Sequence, residues 1–118
     1  MAHTVSLLDL SSNMARHAAT RHSLISQNIA NADTPGYKAQ DVADFSAVME
    51  SQKLSGTDAG INPLEALDRP SVGSPNGNTV SLEDELMRGS KAQQDHELAV
   101  SIYRSTLTMM KTAVGKNL

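Results

Sequence analysis

The side chains able to do acid–base or metal chemistry are thinly spread in this chain. It has four histidines and no cysteine. His17 and His22 stand five residues apart, which on a helix sends them to diverging faces instead of the shared face of an i, i+4 pair. His3 and His96 are remote in sequence, and no carboxylate sits at metal-ligand spacing from any of the four. No nucleophile is arranged with a base, no glycine loop is built to cradle phosphate, and no paired carboxylates fall in a predicted pocket. The sequence therefore predicts no catalytic residue, no cofactor and no metal site. Arg16, His17, Arg21 and His22 read better as a small basic patch, solvated or salt-bridged, and too small for nucleic acid.

Composition narrows the remaining classes. A chain of 118 residues with net charge −3 makes about one small domain and lacks the basic surface of a nucleic-acid binder. Without cysteine there is neither a disulfide frame nor a thiolate metal site. No stretch approaches the length and apolarity of a membrane span. The segment Met1–Leu10 has no basic n-region and no apolar run of signal-peptide length. That pattern fits a cytosolic protein, and equally one exported without a cleaved signal. Tyr37, Phe45 and Tyr103 are the only aromatic residues. A core must then come from Leu, Ile, Val, Met and Ala, and a lone monomer is expected to be marginal.

The stretch that organises the chain is Asn28-Ile29-Ala30-Asn31-Ala32-Asp33-Thr34-Pro35-Gly36-Tyr37-Lys38. Thr34 precedes a proline, so helical backbone is disfavoured there. Pro35 fixes its own φ and Gly36 tolerates φ > 0, which suits the two central positions of a type II turn. Asn31 and Asp33 offer side chains that bond local backbone as a helix ends.

Upstream, one helix is predicted from about Ser6 to Asn31, with Ser6 and Asp9 as a capping box and Thr4 as a competing start. Leu7, Met14, Ala18, Ile25 and Ile29 follow spacings of 7, 4, 7 and 4. That is an eleven-residue repeat, which keeps one stripe nearly straight along a helix. Leu10 and Leu24 widen it. A helix of that length, ~40 Å, with a narrow apolar stripe needs partners along its length, whether one helix of a small bundle or several neighbours.

Downstream, the pattern from Lys38 to about Glu50 is ambiguous: Val42, Phe45 and Met49 fall at helical spacing, which allows a short helix or a docked turn. From Ser51 to Asn78 the chain is rich in Ser, Gly, Asp, Pro and Asn, with Leu54, Ile61, Leu64, Leu67 and Val72 as scattered anchors. Alone, such a stretch is expected to lack order. After the turn Asn76-Gly77-Asn78-Thr79, a second helix starts at Ser81, capped by Ser81 with Asp84 and with Glu83, Asp84 and Glu85 in its first turn. A heptad register then runs through Leu82, Leu86, Gly89, Gln93, His96, Val100, Tyr103, Leu107, Met110 and Val114. Its C-terminal half is the stronger, and Ala99, Ile102, Met109 and Ala113 broaden the apolar face beyond what one partner covers. Gly115 is placed to end the helix.

The string Asn28 to Ala39 closely resembles the signature of the bacterial flagellar rod and hook proteins. The run Asn76-Gly77-Asn78-Thr79-Val80-Ser81-Leu82-Glu83-Asp84-Glu85 is similar to a second run of that family. Small size, Asp33 in place of the commoner Asn, and Lys38-Ala39-Gln40-Asp41-Val42 make the chain most like a proximal rod member of the basal-body rod proteins. Gln40 departs from the more frequent Arg at that position. A neighbouring rod protein sharing the same turn is the runner-up.

The resemblance implies an all-α fold, with long N- and C-terminal helices forming a coiled-coil-like pair joined by an extended, loop-rich middle. The predicted division is an N-terminal axial helix over 1–32, a connecting segment over 33–79 and a C-terminal axial helix over 80–118. It implies a structural role without catalysis: helical assembly in the periplasmic rod, after export without signal cleavage. Implied partners are copies of itself, adjacent rod proteins, an adaptor protein, the membrane-embedded flagellar base and the export apparatus. Asn28, Ile29, Asn31, Asp33, Thr34, Pro35, Gly36 and Tyr37 are the expected assembly motif. Leu7, Met14, Ile25, Val100, Tyr103, Leu107, Met110 and Val114 are the expected interface. Against this stand an enzyme, for which no arrangement of residues speaks, and a free-standing helical adaptor that binds one partner through its C-terminal face.

Overall fold

A computed structural model describes residues 2–55, 61–69, 73 and 75–116. Two long helices dominate it, α1 over Ala2–Ala30 and α3 over Leu82–Lys116. Between them lie β1 (Gln40–Asp41), α2 (Phe45–Ser55) and β2 (Leu67–Asp68). The helices α1 and α3 run antiparallel against each other, with Asn28 beside Glu85 at one end and Ser11 sharing a groove with Tyr103 and Leu107 further along. The fold is all-α with a paired-helix frame, as the resemblance implied.

The pairing face is made of small side chains. On α1 the buried positions Ser11, Ala18 and Ile25 recur every seven residues, and on α3 Glu85, Ala92, Ala99 and Thr106 do the same. A seven-residue recurrence is what a coiled-coil-like seam requires. Alanine and serine let the helices approach closely, and Ile25 packs where Gly89 has no side chain, its Cγ2 3.6 Å from where a Cβ would lie.

This seam differs from the heptad predicted for the second helix. The buried set Glu85, Ala92, Ala99 and Thr106 lies one residue before Leu86, Gln93, Val100 and Leu107, a rotation of ~100° about the axis. Leu82, Leu86, Tyr103 and Val114 remain exposed. The pattern of large apolar residues pointed to the flank of the contact because the helices meet along their slimmest row.

Helix boundaries also depart from expectation. The first helix begins at Ala2, so Ser6 and Asp9 lie inside it and do not cap it. Thr4 also lies within the helix, its side chain outside the described residues. The last helix continues through Gly115 to Lys116. Its start is as predicted: the Asp84 amide donates to Ser81 Oγ at 3.4 Å and the Glu85 amide to the Ser81 carbonyl at 2.9 Å.

In the middle segment, β1 pairs antiparallel with β2, Gln40 opposite Asp68 and Asp41 opposite Leu67. Val42 and Val48 are buried, and of the two readings of the Phe45 and Met49 spacing the helix is the one found, as α2, where the family resemblance implied an extended connection. The side chain of Leu54, and Val72, lie outside the described residues. The molecule is long and flat, with extents of 66 × 29 × 14 Å.

Candidate functional site

The two motif strings dock on one another. At its C-terminus α1 tightens through i, i+3 bonds, Ala32 N–H to Ile29 O at 3.2 Å and Thr34 N–H to Asn31 O at 3.0 Å, satisfying carbonyls a plain helix end would orphan. The Asn31 amide side chain donates back to Gln27 O at 2.8 Å, and its Oδ1 accepts from the Thr34 hydroxyl at 3.1 Å. Gly36 has φ 75° and the Tyr37 amide donates to Thr34 O at 3.2 Å, as a turn with Pro35 and Gly36 at its centre requires.

The second string closes over this turn. Asn78, 3 % exposed, donates from Nδ2 to the carbonyls of Asn31 (2.9 Å) and Thr34 (2.7 Å), while its Oδ1 accepts from Val80 N–H at 2.8 Å. It thus caps α1 from a distant part of the chain. The Gly36 amide donates to Asn76 O at 2.9 Å, the Thr79 amide to Tyr37 O at 3.0 Å, and the Ala39 amide to Thr79 Oγ1 at 2.8 Å. Lys38 Nζ reaches Gly77 O at 3.3 Å.

Asn28 is the hub beneath the turn. It is 0 % exposed; its Nδ2 donates to Gln40 O (2.8 Å) and Glu85 Oε2 (3.1 Å), and its Oδ1 accepts from Gln40 N–H (3.0 Å) and the Tyr37 hydroxyl (3.4 Å). One amide therefore ties α1, β1 and α3 together, and only an amide offers donors and acceptors on both sides.

An ionic cluster surrounds it. Arg21 holds Asp41 (Nε to Oδ1, 3.0 Å), Asp44 (Nη2 to Oδ1, 2.7 Å) and the carbonyl of Val42 (3.1 Å). Arg88 on α3 grips the other oxygen of Asp41, so that carboxylate bridges the two long helices. Arg69, leaving β2, pairs with Asp84 at 2.5 Å. The Arg21 hydrogen bond holds the Asp44 carboxyl below its ordinary range. Burial pushes the Glu85 carboxyl up, against the Asn28 bond, and burial likewise lowers the Arg88 guanidinium.

The predicted basic patch does not exist as a unit. Arg16 and His22 are exposed, but Arg21 is drawn into the cluster and His17 is only 5 % exposed. Its Nε2 donates to Ala43 O at 2.6 Å and its ring meets Phe45 edge-on at 5.4 Å. His17 therefore fastens the segment leading into α2. The side chain of His3 lies outside the described residues. Among the described residues no group of three or more His, Asp or Glu could hold a metal ion, and no helix is long and apolar enough to cross a membrane.

Of the predicted motif, the structure brings Asn28, Asn31, Thr34, Gly36 and Tyr37 into one bonded unit, with Ile29 half-buried and Asp33 and Pro35 exposed. The predicted interface is divided. Ile25 is buried inside the chain at 3 % exposure and presents nothing to a neighbour. Met14, Val100, Leu107 and Met110 are half-buried, and Leu7, Tyr103 and Val114 are exposed. Arg21 is salt-bridged, one of the two states read for the patch that held it, while sequence reasoning missed Asn78, Glu85, Asp41, Arg69 and Arg88 as members of this site. Asn78 and Glu85 lie in the second string, whose repeat of the family run was their one signal; the ion pairs had none.

The family model described as flagella basal body rod protein matches residues 10–38, most of α1 and the whole turn. A relative from Agrobacterium fabrum, named flagellar basal body rod protein FlgB, is 29% identical, with 95% of each chain covered. The protein of that name from Salmonella typhimurium is 28% identical over 84% of this chain and 86% of its own. A third, from Cereibacter sphaeroides, is 33% identical over 80% of this chain and 83% of its own. The chain belongs to the FlgB family of flagellar basal body rod proteins. In this FlgB-family chain the family model ends at Lys38, where the first string begins to meet Gly77 and Thr79. The match therefore covers one half of the clamp, and the other half comes from residues 76–85.

Proposed function

We propose that the chain is a structural subunit of the proximal rod of the flagellar basal body, assembling helically by packing the outer faces of α1 and α3 against neighbouring subunits. The observation that carries this reading is the set of large apolar side chains left exposed on α3 after it has taken α1 as its partner. Leu86, Met87, Leu98, Met109 and Val114 are each more than half exposed. Along α3 the row buried against α1 leaves these side chains to solvent, and stable architectures cover such surface with a second layer. Here neighbouring subunits supply that layer, and Leu7, Tyr103 and Val114 are the predicted contacts that remain open to them. Such contacts stabilise the hairpin as they form, so folding and assembly are coupled.

The role is structural and involves no reaction. The partners are further copies of the chain, adjacent rod proteins, the adaptor protein and the membrane-embedded base. Delivery runs through the flagellar export apparatus to the periplasm without removal of a signal peptide.

The test is to express a tagged chain in a strain lacking its own copy and to purify basal bodies. The tagged chain is expected in the rod fraction at full length, with motility restored. Recovery only as a soluble monomer or dimer outside basal bodies would favour the helical adaptor and overturn this reading.

A further inference from the structure

The clamp closes through Asn76-Gly77-Asn78, and Asn76 is the only asparagine of the chain that glycine follows. A bond from the Gly77 nitrogen to the Asn76 carboxamide carbon closes a small ring, with both reacting groups already held on neighbouring residues. The folded clamp leaves that closure open. Asn76 is exposed, so water reaches the carboxamide. Among the described residues the Gly77 amide donates to nothing, so the attacking nitrogen has no hydrogen bond to give up. Gly77 also has no Cβ to crowd the approach. Asn76 Oδ1 already accepts from the Asn78 amide at 3.1 Å. That donor faces the oxygen on which negative charge collects as the nitrogen attacks.

We propose that Asn76 is a self-modification site, and that its β-linked product opens the clamp. The Gly77 nitrogen bonds to Asn76 Cγ and loses its proton, while the Asn76 carboxamide nitrogen gains a proton and leaves as ammonia. Water then splits the cyclic imide, and nothing is oxidised or reduced. Addition at Cγ gives aspartate in the ordinary chain. Addition at the Asn76 backbone carbonyl carbon gives a chain that runs through the side chain and is one carbon longer. The two products treat the clamp differently. Aspartate keeps the backbone path and an oxygen for the Asn78 amide. In the longer product the two sides of the turn lose register. Asn76 O holds the Gly36 amide at 2.9 Å, while Asn78 Nδ2 holds the carbonyls of Asn31 and Thr34 at 2.9 and 2.7 Å. A carbon added between them lengthens the path by ~1.5 Å, more than bonds of that length absorb. Asn78 then no longer caps α1. The proposal rests on the clamp and stands whether or not the rod reading holds.

The experiment ages the full chain in mildly alkaline buffer, with an osmolyte that secures the fold. Peptide mapping separates aspartate from its β-linked isomer, and hydrogen exchange is read at Gly36 and Thr79, whose amides bond across the clamp. Asn76 should convert at least about tenfold faster than Asn31, which Ala32 follows, and within about tenfold of its own rate in urea. The β-linked fraction should exchange Gly36 and Thr79 several-fold faster than the unaged chain. Asn76→Ser, which keeps a short acceptor at the turn but has no carboxamide, should age without that change. Conversion of Asn76 no faster than that of Asn31, or slowed more than tenfold relative to urea, would overturn the proposal. So would a β-linked fraction that exchanges Gly36 and Thr79 as before, or the same loss of protection in aged Asn76→Ser.

Discussion

Gly36 and Gly77 lie back to back where the two motif strings meet. Both have positive φ, 75° and 83°, and a Cβ built on Gly77 would sit 3.5 Å from the Gly36 Cα. Each stands in backbone that L side chains rarely adopt, and neither has a steric clash to add to that cost. Gly77→Ala should therefore destabilise by about 1–2 kcal/mol, read from urea unfolding. At Gly36, where a Cβ would meet nothing within 4 Å, the order of damage should be Asn least, Ala intermediate and Val greatest, since Asn tolerates this region and β-branching does not.

Asn28 joins three elements with one side chain, so its replacement should cost more than a surface change. Asn28→Ala leaves the part-buried amide and carbonyl of Gln40 without their partner, a penalty of at most about 1–3 kcal/mol for each group. Asn28→Asp replaces the donor facing Glu85 with a second carboxylate. It should be worse than Ala at pH 7, and its deficit should shrink on acidification as one of the two carboxyls takes a proton. A denaturant series at pH 7 and pH 4.5 checks both statements.

Acid should weaken the fold through Asp44. Its pKa is lowered from 3.8, first by the hydrogen bond from Arg21, so its stabilisation is present above that value and lost as pH falls through the lowered pKa of the folded state. Asp44 is largely exposed, so the effect should be modest and should fade in high salt. The Asp44→Asn variant is expected to flatten the acid limb of the wild-type stability profile below pH 4 while leaving its neutral limb unchanged.

His17 should govern α2 without governing the helix pair. Its bond to Ala43 O and its contact with Phe45 hold the chain that enters α2, on a different side of α1 from the Ala18–Ile25 seam. His17→Ala is expected to speed hydrogen exchange in residues 45–53 several-fold, with the amides of α1 and α3 little changed.

Much of this arrangement was legible in the residues. Periodicity gave two long helices, Ser81 with Asp84 gave the start of α3, and Thr34-Pro35-Gly36 gave the turn with Gly36 at positive φ. The packed face of α3 was not legible, because hydrophobic patterning weights Leu86, Tyr103 and Val114 over the alanines that lie against α1. Nor was the cluster around Glu85: Arg21, Asp41, Arg69 and Arg88 are scattered charges until the turn folds back and brings them together. The clamp itself was half visible, since both strings resembled a family signature, but nothing local says that Asn78 bonds carbonyls at the end of α1.

The large apolar side chains exposed on α3 are expected to meet neighbouring subunits. The most direct measurement is the amount of each variant incorporated into purified basal bodies, for Val114→Asp and Lys111→Ala expressed at equal level with export of both verified. Both positions are exposed in the chain itself, so neither substitution should unfold the hairpin. A buried contact at Val114 would be broken by an unpaired charge, whereas removing the Lys111 side chain from solvent should change little. Near-normal incorporation is expected of Lys111→Ala, and incorporation of Val114→Asp reduced at least tenfold. Equal incorporation of the two would contradict it.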